Sequence, residues 1–281
     1  MSKTDRSSAG TADGLLSSGG LRAAASRASS EIILIVTVLL WSGSYTASRY
    51  AVTNGFEPLA FSSVRFVIGS AVFVAVVLWR EGSLRIAPRH LPLLVPAALI
   101  GIVGNQVAFT YSVSLADAAV VALIFGTLPI FASVLTWLLG WHDLSTRHWI
   151  ATGVSFAGVA LVALGVSGRL AADLGGVLLA LVASATFAGF SVFVGRLMQH
   201  YSVYRVTAVV VLAGTIPLVL VASPQIATMG WGELDALAWT AFAYIVCMFI
   251  STTYLWFIAI DRVGAPHATL WANLQPFIGA V

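Results

Sequence analysis

Long apolar segments, separated by short polar ones, repeat along almost the whole chain. Each is close to the ~20 residues that cross the ~30 Å hydrocarbon core of a bilayer as a helix. Nine such segments cover residues 32–52, 58–79, 91–114, 118–140, 149–166, 175–197, 204–222, 238–260 and 264 to the end. The pattern predicts an all-α integral membrane protein with nine spans.

Composition agrees with this reading and excludes a soluble domain. Hydrophobic residues make up 59% of the chain, charged residues 9%, and the mean hydropathy is +0.96, whereas soluble domains carry about 25% charged residues. The net charge of +3 does not indicate a nucleic-acid partner, because the basic residues lie between the spans. The single cysteine, Cys247, lies inside a span and allows no disulfide or thiolate metal cluster.

The distribution of Lys and Arg predicts a cytoplasmic N-terminus in the plasma (bacterial inner) membrane. With the N-terminus inside, only Arg169 falls in an outer loop, and Arg49 and Arg65 fall within spans. The eleven basic residues then on the inner side are Lys3, Arg6, Arg22, Arg27, Arg80, Arg85, Arg89, Arg147, Arg196, Arg205 and Arg262. Residues 1–30, rich in Ser, Ala and Gly, predict a disordered cytosolic tail.

Two pairs of segments indicate an internal repeat. Residues 120–134 (VVALIFGTLPIFASV) align without gaps with 267–281 (HATLWANLQPFIGAV), and 41–49 (WSGSYTASR) echoes 188–196 (AGFSVFVGR), both at a separation of about 147 residues. The identities in the first pair are Leu123/Leu270, Pro129/Pro276 and Val134/Val281. We therefore predict one five-helix unit written twice, at 31–167 and 175–281. Since five is odd, the second copy is inverted, as in many secondary transporters.

The predicted architecture is therefore a ten-helix inverted repeat (5+5) with nine spans present and the C-terminal helix missing from this chain. The second copy stops inside its fourth helix, so we expect a natural continuation of roughly 33 residues if the copies match in length. We also expect the 281-residue chain alone to be transport-defective.

The sequence resembles the EamA family of the drug/metabolite transporter superfamily. The resemblance rests on LLWSGSYTASRYAV in the first span, FSSVRFVIGSAVF in the second, ADAAVVALIFGTLPIFASVLTWLLG in the fourth and WIATGVSFAGVALVALG in the fifth. It covers about residues 32–281, and it departs from the family where the fourth span runs into GWHDLSTRHW. The resemblance implies ten helices, a substrate cavity between the halves and export of a small molecule.

Polar and aromatic residues on shared helical faces are the candidates for this cavity. Such groups are costly against lipid, so they point to the bundle interior, either lining a wet cavity or forming bonds between helices. In the first, third and ninth spans the spacing places them on one stripe each. The predicted cavity residues are Trp41, Tyr45, Arg65, Asn105, Gln106, Tyr111, Thr252, Tyr254, His267, Trp271 and Gln275.

Arg65 lies within the second span, where a central arginine costs about 2.5–3.5 kcal/mol. It is either an anchor near the outer surface, with Glu57 and Asp117 as possible partners, or a clamp for a substrate carboxylate. Every acid beyond the tail lies at a span end or in a loop. An organic cation would therefore lack a counter-charge, and the residues favour an amino-acid-like or other neutral metabolite.

Two further features carry open alternatives. His267 is the one near-neutral titratable group just inside a span, and it is either a packing residue or a proton-coupling group. Pro129 and Pro276 interrupt matching helices, and they are either tolerated kinks or hinges.

The predicted function is export of a small polar or amphipathic metabolite by alternating access through a central cavity. The alternative is multidrug or organic-cation efflux; a membrane-embedded enzyme or a scaffold is a different class, and no mid-membrane catalytic set supports an enzyme. We expect no catalytic residue, metal or cofactor. The expected partners are a small-molecule substrate and the lipid bilayer, with no nucleic acid, and the protein is expected to act as a monomer or homodimer.

Overall fold

The computed structural model describes residues 6–141, 144–166 and 173–275, and the described elements are helices. Seven segments of this part are long and apolar enough to cross a membrane, which confirms the prediction of a multi-pass helical membrane protein. They are Ser29–Thr53, Pro58–Glu81, Pro88–Leu115, Ala118–Leu138, Leu174–Met198, Val203–Thr228 and Ala236–Val263.

The helices are numbered along the chain. They are α1 Arg6–Thr53, α2 Pro58–Glu81, α3 Leu91–Ala98, α4 Asn105–Leu115, α5 Ala118–Phe125, α6 Leu128–Leu138, α7 Thr146–Val166, α8 Leu174–Met198, α9 Val203–Thr228, α10 Ala236–Val263 and α11 Ala265–Ala272. The third span consists of a 3₁₀ turn, α3, a π-helical stretch over Leu99–Gly104, and α4. The fourth consists of α5 and α6.

Helix ends follow from local sequence. Pro58 lies in the first turn of α2, where its missing N–H costs nothing, and Gly82 ends the helix with φ of 65°, a conformation that favours glycine. The Asp235 carboxylate caps α10 by accepting a hydrogen bond from the N–H of Ala238, and Gly264 follows its last turn. These signals place both ends of each helix within a few residues of the predicted limits.

The helix of the first span begins ahead of the span itself, which starts at Ser29. The structure has α1 beginning at Arg6, so residues 6–30 continue the first span as one helix. No proline occurs between Arg6 and Thr53, and the alanine-rich stretch before Ser29 favours helix. The disordered cytosolic tail inferred from the Ser, Ala and Gly content of residues 1–30 stays a prediction.

Two of the nine predicted spans are not among the seven. The predicted fifth span, 149–166, is helical within α7. The predicted ninth span contributes α11, and the described residues end at Gln275. The described ranges therefore contain seven helical segments that are long and apolar enough to span a membrane.

Three antiparallel pairs of spans build the bundle. In α1 and α10, Arg262 bonds to Ser29 at one end and Tyr50 to Asp235 at the other, at 3.0 and 3.2 Å. In α2 and α9, the Leu59 N–H donates to the Gln225 side chain at 2.7 Å. At the other end of that pair, Arg205 pairs with Glu81 at 3.0 Å. Each pair therefore joins the first part of the chain to the second.

The third span pairs in the same way with α8. The Asp173 N–H donates to the Leu115 carbonyl at 3.3 Å at one end, and the rings of His90 and His200 lie 4.3 Å apart at the other. A Cβ added at Gly101 would lie 2.5 Å from the Phe190 Cβ, so only glycine permits this approach of the third span to α8. The close contact fixes the π-helical stretch against its neighbour.

Helix bounds recur at a constant separation along the chain. Both bounds of α11 lie 147 residues after those of α5. The turn that ends each helix carries the same hydrogen bonds: Thr127 N–H to the Ile124 carbonyl at 2.9 Å, and Leu274 N–H to the Trp271 carbonyl at 3.0 Å. α2 and α9 end at Glu81 and Thr228, again 147 apart.

Candidate functional site

A cavity of about 140 Å³ lies in the centre of the bundle, where the antiparallel pairs meet. Its wall is mostly aromatic and apolar, with a few polar groups, as is usual for small-molecule sites. Of the eleven predicted cavity residues, seven line it: Trp41, Tyr45, Arg65, Asn105, Gln106, Thr252 and Gln275.

Arg65 is the charged residue of this wall among the described residues. Its side chain is buried, with 5% exposure, and Nη2 donates a hydrogen bond to Gln106 Oε1. Its Nε is buried without a partner. The guanidinium lies 5.4–5.5 Å from the ring centroids of Phe61, Phe66 and Phe249. A neutral amide and three rings leave most of its charge uncompensated in a low-dielectric site.

The predicted alternative for Arg65, an outer anchor paired with Glu57 or Asp117, does not hold. Asp117 pairs with Arg49 instead, at 3.1 Å. The second ion pair of the described residues joins Arg205 to Glu81. Sequence distance suggested the wrong arginine because Arg49 and Arg65 both lie in the halves of their spans next to the link between α1 and α2. Only packing decides which of the two reaches the link before α5.

The side-chain amides of Gln106 and Asn105, adjacent on α4, form a chain of hydrogen bonds from Arg65 on α2 to α8. Gln106 Oε1 also accepts from the Ser62 hydroxyl at 3.2 Å, and Gln106 Nε2 donates to Asn105 Oδ1 at 2.9 Å. Asn105 Nδ2 then donates to the Ala183 carbonyl of α8 at 2.8 Å. These amides directly follow the π-helical stretch, whose extra residue re-aims the side chains that come after it.

Two bonds between side chains far apart in sequence close the remaining polar wall. Trp41 Nε1 donates to Thr252 Oγ1 at 3.1 Å, and the Tyr45 hydroxyl donates to Gln275 Oε1 at 2.7 Å. The Trp41 ring lies 4.8 Å from that of Trp256, which forms part of the same wall. The first span therefore reaches both α10 and the segment after α11 through one face.

Four predicted cavity residues lie elsewhere. The Tyr111 hydroxyl accepts from Gln225 Nε2 at 2.9 Å, and the Tyr254 ring packs 4.9 Å from that of Phe73. Trp271 is half-buried against the main apolar core, and His267 lines a second cavity. Helical spacing gives the face of a helix on which a residue lies, but not the neighbour that this face meets.

The wall also contains residues that the sequence reading missed. Ser48 is buried with an unpartnered hydroxyl, and Phe187, Phe190, Phe249 and Trp256 supply aromatic surface. Ser48 lies three residues after Tyr45 and seven after Trp41, so the face of the first span already contained the signal. Trp256 likewise follows Thr252 by one turn.

The fourth span is broken at Gly126–Thr127, between α5 and α6. Pro129, one of the two predicted hinge residues, lies in the first turn of α6 directly after this break. Pro276 lies outside the described residues. The break frees backbone groups at the level of the cavity, where Phe125 and Leu128 on its two sides are part of the wall.

A second cavity, of about 460 Å³, lies between α6, α7, α8 and the junction of α10 with α11. Its charged and titratable residues within the described ranges are His148, Arg196, Asp261 and His267. His148 contacts the Ser133 hydroxyl at 2.8 Å. No group of three or more metal-binding side chains is found in the part of the chain that the structure describes.

Comparison with known proteins assigns this arrangement to a family. The model of the EamA-like transporter family matches the chain twice, over residues 28–164 and 174–281. The chain belongs to the EamA-like transporter family. The seven spans and the central cavity are thus those of a membrane transporter protein family, as the resemblance had indicated.

Relatives of this EamA-like transporter extend over most of its length. An uncharacterized transporter of Archaeoglobus fulgidus is 23% identical over 248 residues, covering 88% of this chain and 86% of its own. The uncharacterized inner membrane transporter YedA of Escherichia coli K12 is 25% identical, covering 88% and 79%. A solved crystal structure superposes with a TM-score of 0.69 at 22% identity, covering 90% and 86%, which supports the fold.

Proposed function

We propose that this protein exports a small polar or amphipathic metabolite, amino-acid-like in its chemistry, by alternating access through the central cavity. The observation that carries the proposal is the buried Arg65, which faces a cavity between antiparallel halves with no carboxylate in its described wall. A substrate carboxylate supplies the missing counter-charge, and the aromatic wall takes the substrate's apolar part. The substrate and the bilayer are the expected partners, for a monomer or a homodimer.

The proposed architecture is the ten-helix inverted repeat. Three features support it: the family model matches twice, helix bounds recur 147 residues apart, and α2 runs antiparallel to α9, the span at the equivalent place in the second copy. Antiparallel packing of equivalent spans is what an inverted repeat requires, and such repeats place substrate sites at their interface.

The proposed orientation has the N-terminus in the cytoplasm of a bacterial inner membrane. The bias of Lys and Arg supports it, and YedA, a relative, is named as an inner membrane protein. Cysteines introduced at Ser167 and Ser83, one at a time in a Cys247→Ser background, test it. We expect an impermeant thiol reagent to label position 167 and not 83 in intact cells; the reverse pattern would overturn the orientation.

The alternative substrate class, organic cations, is favoured by one observation only. The rings of the wall offer cation–π surface, but such contacts are worth about 0.5–2 kcal/mol and Arg65 would repel the cation. An enzyme is less well supported than a transporter, because the relatives carry transporter names.

The test is counterflow in proteoliposomes. The full-length protein is reconstituted, since the 281-residue chain alone is expected to be transport-defective. The proteoliposomes are loaded with unlabelled amino acids, nucleosides or organic cations, and uptake of the labelled compound is measured. We expect saturable exchange of amino-acid-like substrates and competition only from compounds that keep a free carboxylate. Methyl esters of the same compounds provide the matched control. Saturable exchange of a quaternary ammonium compound that amino acids do not inhibit would refute the proposal.

A further inference from the structure

One arginine, Arg49, joins the first span to the end of the third span beside the central cavity. With the orientation proposed above, Arg49 follows Ser48, the outermost wall residue of α1. Its Nη1 donates to the carbonyl oxygens of Val113, at 2.9 Å, and Ala116, and Nη2 pairs with Asp117 at 3.1 Å. These carbonyls belong to the last turn of the third span, where no intrahelical donor remains for them.

In the second half, the equivalent arginine and carbonyl groups lie on the inner side of the central cavity, and the arginine bonds to a different residue. Arg196 stands 147 residues after Arg49, and Ile260 and Val263 stand 147 residues after Val113 and Ala116. All three line the second cavity, of about 460 Å³. Arg196 instead donates to Gln199 at 2.8 Å, and its guanidinium lies 5.6 Å from the Trp141 ring.

The two cavities follow one another along the same two helices. On α8, Phe190 lines the central cavity and Val192 lines the second cavity. On α10, Phe257 lines the central cavity and Ile260 lines the second one. The second cavity therefore follows the central one on the side of Arg196, as an inward-facing state requires.

We propose that Arg49 and Arg196 are a pair of alternating latches, one for each side of the membrane. In the outward-facing state Arg49 leaves the carbonyls of the third span, while Arg196 leaves Gln199 and donates to the carbonyl of Val263. It also shares the carbonyl of Ile260 with the Gly264 N–H, which donates to that oxygen at 2.8 Å. The carbonyls at a helix C-terminus carry partial negative charge and attract a cation. This inference rests on the alternating access proposed above.

One difference between the halves makes the latches unequal. Gly264 occupies the position equivalent to Asp117, so the inner latch lacks the carboxylate that strengthens the outer one. Asp261, in the wall of the second cavity, precedes Val263 in the sequence, whereas Asp117 follows Ala116, the residue equivalent to Val263. The outer latch is therefore the stronger, and the protein without substrate rests in the inward-facing state.

Thiol accessibility tests the pair without any substrate. In a Cys247→Ser background, Ser48→Cys reports access from outside in intact cells, and Val263→Cys reports access from inside in inverted vesicles. Arg49→Gln is expected to raise the ratio of outer to inner labelling rates about tenfold, the change in the population ratio that about 1.4 kcal/mol produces. Arg49→Lys, which keeps the charge, is expected to produce a smaller shift.

Arg196→Gln is expected to shift labelling in the opposite direction, and adding it to Arg49→Gln is expected to return the rates toward those of the parent. Arg85→Gln, an exposed arginine of an inner loop, is the control. Shifts in the same direction for the two single variants, or shifts no larger than the control's, would overturn the latch pair. Reciprocal labelling without amino-acid exchange would reject the proposed substrate and keep the latches.

Discussion

Replacing Arg65 with glutamine separates a substrate-binding role from a structural one. The change removes a cation whose place in a span costs about 2.5–3.5 kcal/mol. It also weakens a charge-assisted bond to Gln106, by about 1–1.5 kcal/mol, and removes three cation–π contacts of about 0.5 kcal/mol each at this separation. These terms nearly cancel, so we expect the stability of the fold to stay within about 1 kcal/mol.

The effect on substrate is expected to be much larger. A hydrogen-bonded pair between Arg65 and a substrate carboxylate is worth about 1.5–3 kcal/mol, and its loss raises the KM for exchange about 10- to 150-fold. Counterflow rates over a range of substrate concentrations measure the KM, and thermal unfolding of the purified protein in detergent measures the stability.

Arg80→Gln is the matched control for this substitution. Arg80 lies on the same helix, is exposed, and stacks 4.4 Å from the Tyr204 ring outside the cavity. We expect no change in KM for this variant, and a fall in unfolding temperature no larger than the loss of one exposed cation–π contact, about 0.5–1 kcal/mol, produces. If Arg65→Gln instead lowers the unfolding temperature strongly and leaves KM unchanged, Arg65 is a structural residue and the proposed carboxylate site is wrong.

Two further predictions concern packing and the amide network. Gly101→Ala places a Cβ 2.5 Å from the Phe190 Cβ, so the unfolding temperature in detergent should fall by the equivalent of about 1–3 kcal/mol. Gly153→Ala is the control, because nothing lies within 4 Å of the added Cβ, and it should leave the unfolding temperature unchanged. Equal effects of the two substitutions would contradict the close contact of Gly101 with Phe190. Asn105→Leu leaves the Gln106 N–H unpaired and should lower exchange in proteoliposomes at normal membrane insertion; unaltered exchange would argue against the network's role.

The spans were predictable because the bilayer fixes their length. The prediction placed α2 at 58–79, and the structure has Pro58–Glu81, extended to the glycine that ends it. Pairing was harder to predict. Tyr111 and Asn105 lie on neighbouring faces of one helix, yet Asn105 meets α8 at the cavity while Tyr111 meets Gln225 of α9. Periodicity identifies the face of a helix, and only packing identifies its partner.

The ion pair of Arg49 with Asp117 and the π-helical stretch before Asn105 show the same limit. Each depends on contacts between spans: the first on how α1 meets the link before α5, the second on how Gly101 meets Phe190. The proposed repeat, by contrast, was inferred from a few identities, such as Pro129 with Pro276, since two copies under the same geometric constraint keep proline at the same turn.

The bond between Trp41 and Thr252 also has a consequence for synthesis. The two residues are 211 positions apart, so at about 5–20 residues per second the ribosome needs roughly 10–40 s to deliver the partner of the first span. By contrast, Gln106, the partner of Arg65, is synthesised only 41 residues after it. During that interval the indole N–H and the tyrosine hydroxyl of α1 remain in the membrane without their final acceptors. The first span is therefore the first to be inserted and among the last to be completed, which makes it the part of the nascent chain most exposed to membrane quality control.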